Sequence, residues 1–61
     1  MTRYEACIAI LEHKKVTHPY VPAPEGSYIF WDDFNFRWWN GRTHKADSIC
    51  DMRPKKGYEL L

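Results

Sequence analysis

No stretch of this 61-residue sequence approaches the ~18 consecutive apolar residues of a membrane span, and Met-Thr-Arg-Tyr-Glu opens it without a basic n-region leading into an apolar core. A secretory signal and a spanning segment are therefore not expected, and a cytoplasmic location is. A one-signed charge is missing as well: nine Lys plus Arg stand against eight Asp plus Glu, for a formal net charge of +1. An acidic nucleic-acid mimic and a polycationic nucleic-acid or membrane binder both need a strongly one-signed field, which near-neutrality excludes. Gly26, Gly41 and Gly57 are isolated, so no glycine-rich phosphate loop exists.

Cysteine is scarce. Cys7 and Cys50 lie with His13, His18 and His44 in an order that contains no C-x₂₋₄-C knuckle. His13 and His18 are formally H-x₄-H, but Pro19 and an expected helix end separate His18 from any shared face. No metal or other cofactor is expected, and in a reducing compartment the two cysteines should be free thiols. No motif positions a thiolate, an oxyanion hole or an orienting third group, so an enzyme is not expected either.

Aromatic residues are abundant at 16% of the chain, too many for disorder. A chain this short holds one domain and buries about 60% of its unfolded surface, so large side chains must be used well.

Thr2 and Glu5 have the spacing of a capping box, and a helix is expected over about residues 3–14. Tyr4, Cys7, Ile8 and Leu11 fall at i, i+3, i+4 and i+7 and make its expected apolar stripe. His13, Lys14 and Lys15 would then occupy the last turn, where basic groups suit the helix dipole. Residues 16–26 hold Pro19, Pro22 and Pro24 and are expected to form an extended connector. Pro19-Tyr20-Val21-Pro22 is formally a PxxP segment, but the expected role is a stiff connector laid across the core with Tyr20 and Val21 tucked in.

Residues 27–40 form the expected aromatic hairpin. With Asp32-Asp33 as the loop, Trp31 faces Phe34, Ile29 faces Phe36 and Ser27 faces Trp38. Ile29, Trp31, Phe34, Phe36 and Trp38 then share one wholly apolar face, and Tyr28, Phe30, Asn35, Arg37 and Trp39 share a mixed one. Asn40-Gly41 signals a second tight turn of the type I′ kind. Short strands are expected over residues 42–61, with Tyr58-Glu59-Leu60-Leu61 closing the sheet; residues 47–52 fit a strand or a helical turn. The fold class expected is α+β, one N-terminal helix packed on a three- or four-stranded antiparallel sheet.

One helix covers one side of such a sheet, and adjacent Trp38 and Trp39 point to opposite sides. A tryptophan must therefore sit on the uncovered face. Trp39 with Tyr28, Phe30, Arg37 and Arg42 makes the candidate partner-binding set, because Trp, Tyr and Arg are enriched at interface hot spots. The alternative for Trp39 is cover by the proline segment. Size and aromatic load resemble the small accessory proteins with which phages and other mobile elements bind and inhibit host complexes, which implies a non-enzymatic module with a protein partner, or a homodimer.

A second reading of the same face is single-stranded nucleic-acid binding, with rings stacking on bases beside a basic edge of Arg37, Arg42, Lys45, Lys55 and Lys56. Residues 36–61 carry six basic against three acidic residues, whereas residues 1–35 carry three against five. No RNP-like, KH or zinc-knuckle pattern accompanies that asymmetry.

Overall fold

A computed structural model of the chain describes residues 1–19 and 26–61. The proline-segment positions 20–25, including the possible cover over Trp39, lie outside the described residues. Helix α1 (Arg3–Leu11) is followed by strands β1 (Val16–Thr17), β2 (Tyr28–Asp32), β3 (Asn35–Asn40), β4 (Lys45–Ile49) and β5 (Glu59–Leu60). The strands form one antiparallel sheet in the order β4-β3-β2-β1-β5, with the helix packed on it. The α+β architecture is the expected one; β5 falls within the expected closing strand, and the two-residue β1, inside the expected connector, brings the strands among the described residues to five.

The helix begins where the sequence places it. Thr2 is the N-cap: its hydroxyl accepts from the Glu5 N–H at 3.2 Å, and the Thr2 N–H donates to the Glu5 carboxylate at 2.9 Å. Thr2, through its backbone N–H first and its side chain second, holds the Glu5 carboxyl below the usual carboxylate range. The helix ends three residues earlier than expected. The His13 N–H reaches the Ile10 carbonyl and the Lys14 N–H reaches that of Ala9, a Schellman closure with His13 at φ 65° in the left-handed position usually held by glycine. His13, Lys14 and Lys15 thus leave the helix instead of forming its last turn.

The expected stripe is also corrected. Ala6, Ala9 and Ile10 are the buried helix residues, whereas Tyr4, Ile8 and Leu11 are exposed. The reason is volume. Trp31, Phe36 and Trp38 already fill the sheet face opposite the helix, so the helix approaches on Ala6, Ala9 and Ile10 and turns Tyr4, Ile8 and Leu11 outward.

Among the described residues the core comprises Ala6, Ala9, Ile10, Val16, Ile29, Trp38, Cys50 and Tyr58. Ile29 lies between Val16 on β1 and Trp38 on β3 and is fully buried. Burying such a side chain contributes roughly 1.5–3 kcal/mol. Residues 1–3 are held by residues 55–58: the Tyr58 N–H donates to the Met1 carbonyl and the Arg3 N–H to that of Lys55, with Thr2 bridged to Lys56.

In the aromatic hairpin Asp32 pairs with Asn35, Trp31 with Phe36, Phe30 with Arg37, Ile29 with Trp38 and Tyr28 with Trp39. The loop is therefore Asp33-Phe34, one position later than expected. Asp33 takes φ 56°, a conformation Asp tolerates, and Phe34 leaves the apolar face for solvent, 89% exposed. The later loop preserves parity, so every other side chain keeps its expected face.

Asn40-Gly41 does not make the two-residue turn. Asn40 pairs with Lys45 across a four-residue loop, the Asn40 side chain accepts from the Arg42 N–H at 2.9 Å, and His44 supplies the left-handed residue at φ 55°. The Asn40 amide closes the turn locally, and residues 41–44 are loop rather than strand. The buried Ser27 hydroxyl accepts from the Gly41 N–H, which joins this loop to the start of β2. Between β3 and β4 the register shifts, Arg37 opposing Ile49 and Trp39 opposing Ala46, which makes a bulge at Asp47 and Ser48.

Candidate functional site

The sheet face turned away from the helix carries Tyr28, Phe30, Arg37 and Trp39, placed there by the period-two alternation of β2 and β3. All four are half-buried. Tyr28 and Trp39, directly opposed in the ladder, stack with centroids 6.0 Å apart and planes 20° apart. Phe30 meets Tyr28 edge-on at 6.2 Å, and His44 tilts against Trp39 at 6.2 Å. These are favourable offset and T-shaped geometries, so the rings hold one another in place.

Of the five residues nominated from sequence, four are brought together on this face. Arg42 lies in the β3–β4 loop beside it and is exposed. Arg37 serves the fold as well as the face: its guanidinium donates to the Asp47 carbonyl at 2.9 Å and faces the Asp32 carboxylate at 3.6 Å. Its Nε is buried without a hydrogen-bond partner. Arg37 therefore ties β4 to β3 and is less free to meet a partner than its sequence position suggests.

Two contributors were not nominated from sequence. The Lys15 ammonium lies 4.8 Å from the centre of the Tyr28 ring, a cation–π contact, and His44 flanks Trp39. Lys15 reaches Tyr28 because the Schellman closure at His13 turns the chain back toward β2. No linear pattern announces that turn, since glycine is its usual marker.

The remaining chemistry-bearing groups sit elsewhere. Both cysteines are free thiols. Cys50 is in the core, where burial first, then the nearby Asp51 and Cys7, push its thiol up to about 11. Such a thiol is a small hydrophobe, not a nucleophile. The Cys7 thiol lies 3.8 Å from the Met52 sulfur. The Tyr58 hydroxyl donates to the Pro54 carbonyl at 2.9 Å and is shifted upward mainly by burial. Among the described residues no group of three His, Cys, Asp or Glu side chains is arranged to hold a metal. No helix among them is long and apolar enough to cross a membrane.

Fold and site together define a small α+β domain with a preformed aromatic sheet face. Compared with protein-family models, curated protein sequences and solved structures, the chain matches none.

Proposed function

We propose that this protein is a non-enzymatic binding module whose aromatic sheet face docks a protein partner, in the manner of the accessory proteins that mobile elements direct against host complexes. The observation that carries the reading is the Tyr28–Trp39 stack, half-buried on the face that the helix leaves uncovered. A rigid stacked pair loses little conformational entropy on association, and Phe30 and Lys15 extend it into a continuous apolar and cationic patch.

Affinity capture from host lysate with the unaltered protein and Trp39→Ala tests it. Loss of a specific captured protein in the variant, with circular dichroism and Tm retained, supports the reading; capture indifferent to Trp39 refutes it. Oligo-dT provides the counter-test. Quenching of tryptophan fluorescence, weakening steeply between ~50 and ~200 mM salt, would transfer the face to single-stranded nucleic acid.

A further inference from the structure

A second surface feature adjoins this face and gives the proposed partner a chemistry. A cleft of about 220 Å³ is lined by Ile10, His13, Lys14, Lys15, Tyr28, Phe30 and Trp31. Phe30 and Trp31 are neighbours in β2 and point to opposite faces, so a cleft that touches both lies along the strand's edge. The pairing explains the opening: β1 covers β2 only at Ile29, and residues 30–32 have no strand on that side among the described residues.

The walls fall into two kinds. Ile10, Tyr28, Phe30 and Trp31 form an apolar floor, whose volume exceeds that of the roughly 150 Å³ engineered cavity that takes up benzene. His13, Lys14 and Lys15 form a donor-rich rim, and none of the described lining residues is acidic. Glu12 meets Lys14 at 3.9 Å in an exposed pair, a contact weak enough that a second carboxylate can displace it, and Asp32 faces Arg37. His13 stands in the rim at φ 65°, in the left-handed region that favours glycine.

Resting on the reading of the aromatic face as a protein-docking surface, we infer that this cleft takes an extended acidic peptide segment of the partner. It lies along the β2 edge at residues 30–32, its apolar side chain enters between Ile10 and Tyr28, and its flanking carboxylates meet Lys14 and Lys15. Strand addition supplies main-chain pairing, and the cationic rim selects acidic sequences.

The test uses the whole isotope-labelled protein and a synthetic capped pentapeptide with one phenylalanine between two pairs of aspartates. The expected result is amide shift changes concentrated at residues 13–15 and 28–32, with affinity that falls as salt rises. Replacing the peptide's phenylalanine by alanine should weaken binding about tenfold or more, the loss expected for one buried aromatic group. Lys15→Glu and, separately, Lys14→Glu should weaken it further, with the dispersion of the spectrum retained; a peptide with lysines for aspartates should leave the spectrum unchanged.

Absence of shifts at 13–15 and 28–32, equal binding of the lysine peptide, or a response to oligo-dT alone overturns the inference. Partner capture that depends on Trp39 but not on Lys14 or Lys15 would also overturn it, while leaving the aromatic-face reading intact. Capture indifferent to Trp39 with the peptide still bound in the cleft would do the reverse.

Discussion

Gly57 passes His18 so closely that a Cβ on it would stand 2.9 Å from the His18 Nε2, and its φ of 97° is itself in the region that favours glycine. His18 cannot retreat freely, because the same nitrogen is 2.9 Å from the Lys56 carbonyl and the ring rests on Tyr58 at 4.5 Å. Gly57→Ala is therefore expected to lower stability by about 1–3 kcal/mol. A melting curve checks this. At ~4–8 °C per kcal/mol for a domain of this size, the fall in Tm should be plain.

The helix face offers a sharper contrast. Ile10 is fully buried and Ile8 is 42% exposed, although the apolar spacing of the sequence favours Ile8. Ile10→Ala should cost about 2–5 kcal/mol, while Ile8→Ala stays within about 0.5 kcal/mol of the parent. Urea unfolding of the two variants measures both. Equal losses would mean that the helix turns Ile8 as well as Ile10 toward the sheet.

At the end of the same helix, His13 occupies the left-handed position of the Schellman closure. His13→Gly should raise stability by about 0.5–1 kcal/mol, since glycine reaches that conformation without a Cβ penalty. The same substitution removes one wall of the cleft. Gain in Tm together with weaker binding of the acidic peptide is the combined outcome expected.

The pH dependence has two limbs with opposite signs. Glu5 is depressed in the folded state, so its contribution is present above the unfolded carboxylate value and is lost as pH falls through the folded one. Glu5→Gln should flatten the acid limb of a stability profile. Cys50 is raised to about 11, and here the neutral form is the one favoured by folding. Its contribution is complete below the unfolded thiol value and is lost as pH climbs from there through about 11. Cys50→Ala should reduce the alkaline loss, though it also opens a small void. Thiol titration at pH 8 gives an independent check: Cys50 should react only after denaturant is added.

Arg37 joins three strands, and Arg37→Lys is expected to loosen β4 in particular, because lysine cannot span the Asp32 carboxylate and the Asp47 carbonyl together. Faster hydrogen exchange at residues 45–49, with residues 28–32 little changed, is the expected pattern. If Arg37 acted mainly on a partner, exchange in the free protein would not respond.

Local and period-two features were legible in the sequence. The Thr2–Glu5 box involves residues three apart and needs nothing from the rest of the chain. The faces of the hairpin follow from alternation alone, which is why Tyr28, Phe30, Arg37 and Trp39 could be grouped despite the misplaced loop. The orientation of the helix was not legible, because it depends on how much volume Trp31, Phe36 and Trp38 occupy across from it. Nor was β1: two residues carry no periodicity, and Val16 becomes a strand residue only by meeting Ile29 and Leu60 from distant parts of the chain. Lys15 joins the aromatic face for a similar reason, through a turn closed by histidine where glycine is the recognisable signal.

The bulge at Asp47 and Ser48 has a consequence for behaviour at high concentration. There the Asp47 carbonyl is taken by Arg37, and the Ser48 N–H donates to the Asp47 carboxylate at 2.9 Å. An outer strand with two main-chain groups at its bulge consumed by its own neighbours is a poorer template for another molecule's strand. Growth of the sheet from chain to chain is thereby hindered at the bulge of β4, where a continuous ladder to a second molecule would be interrupted.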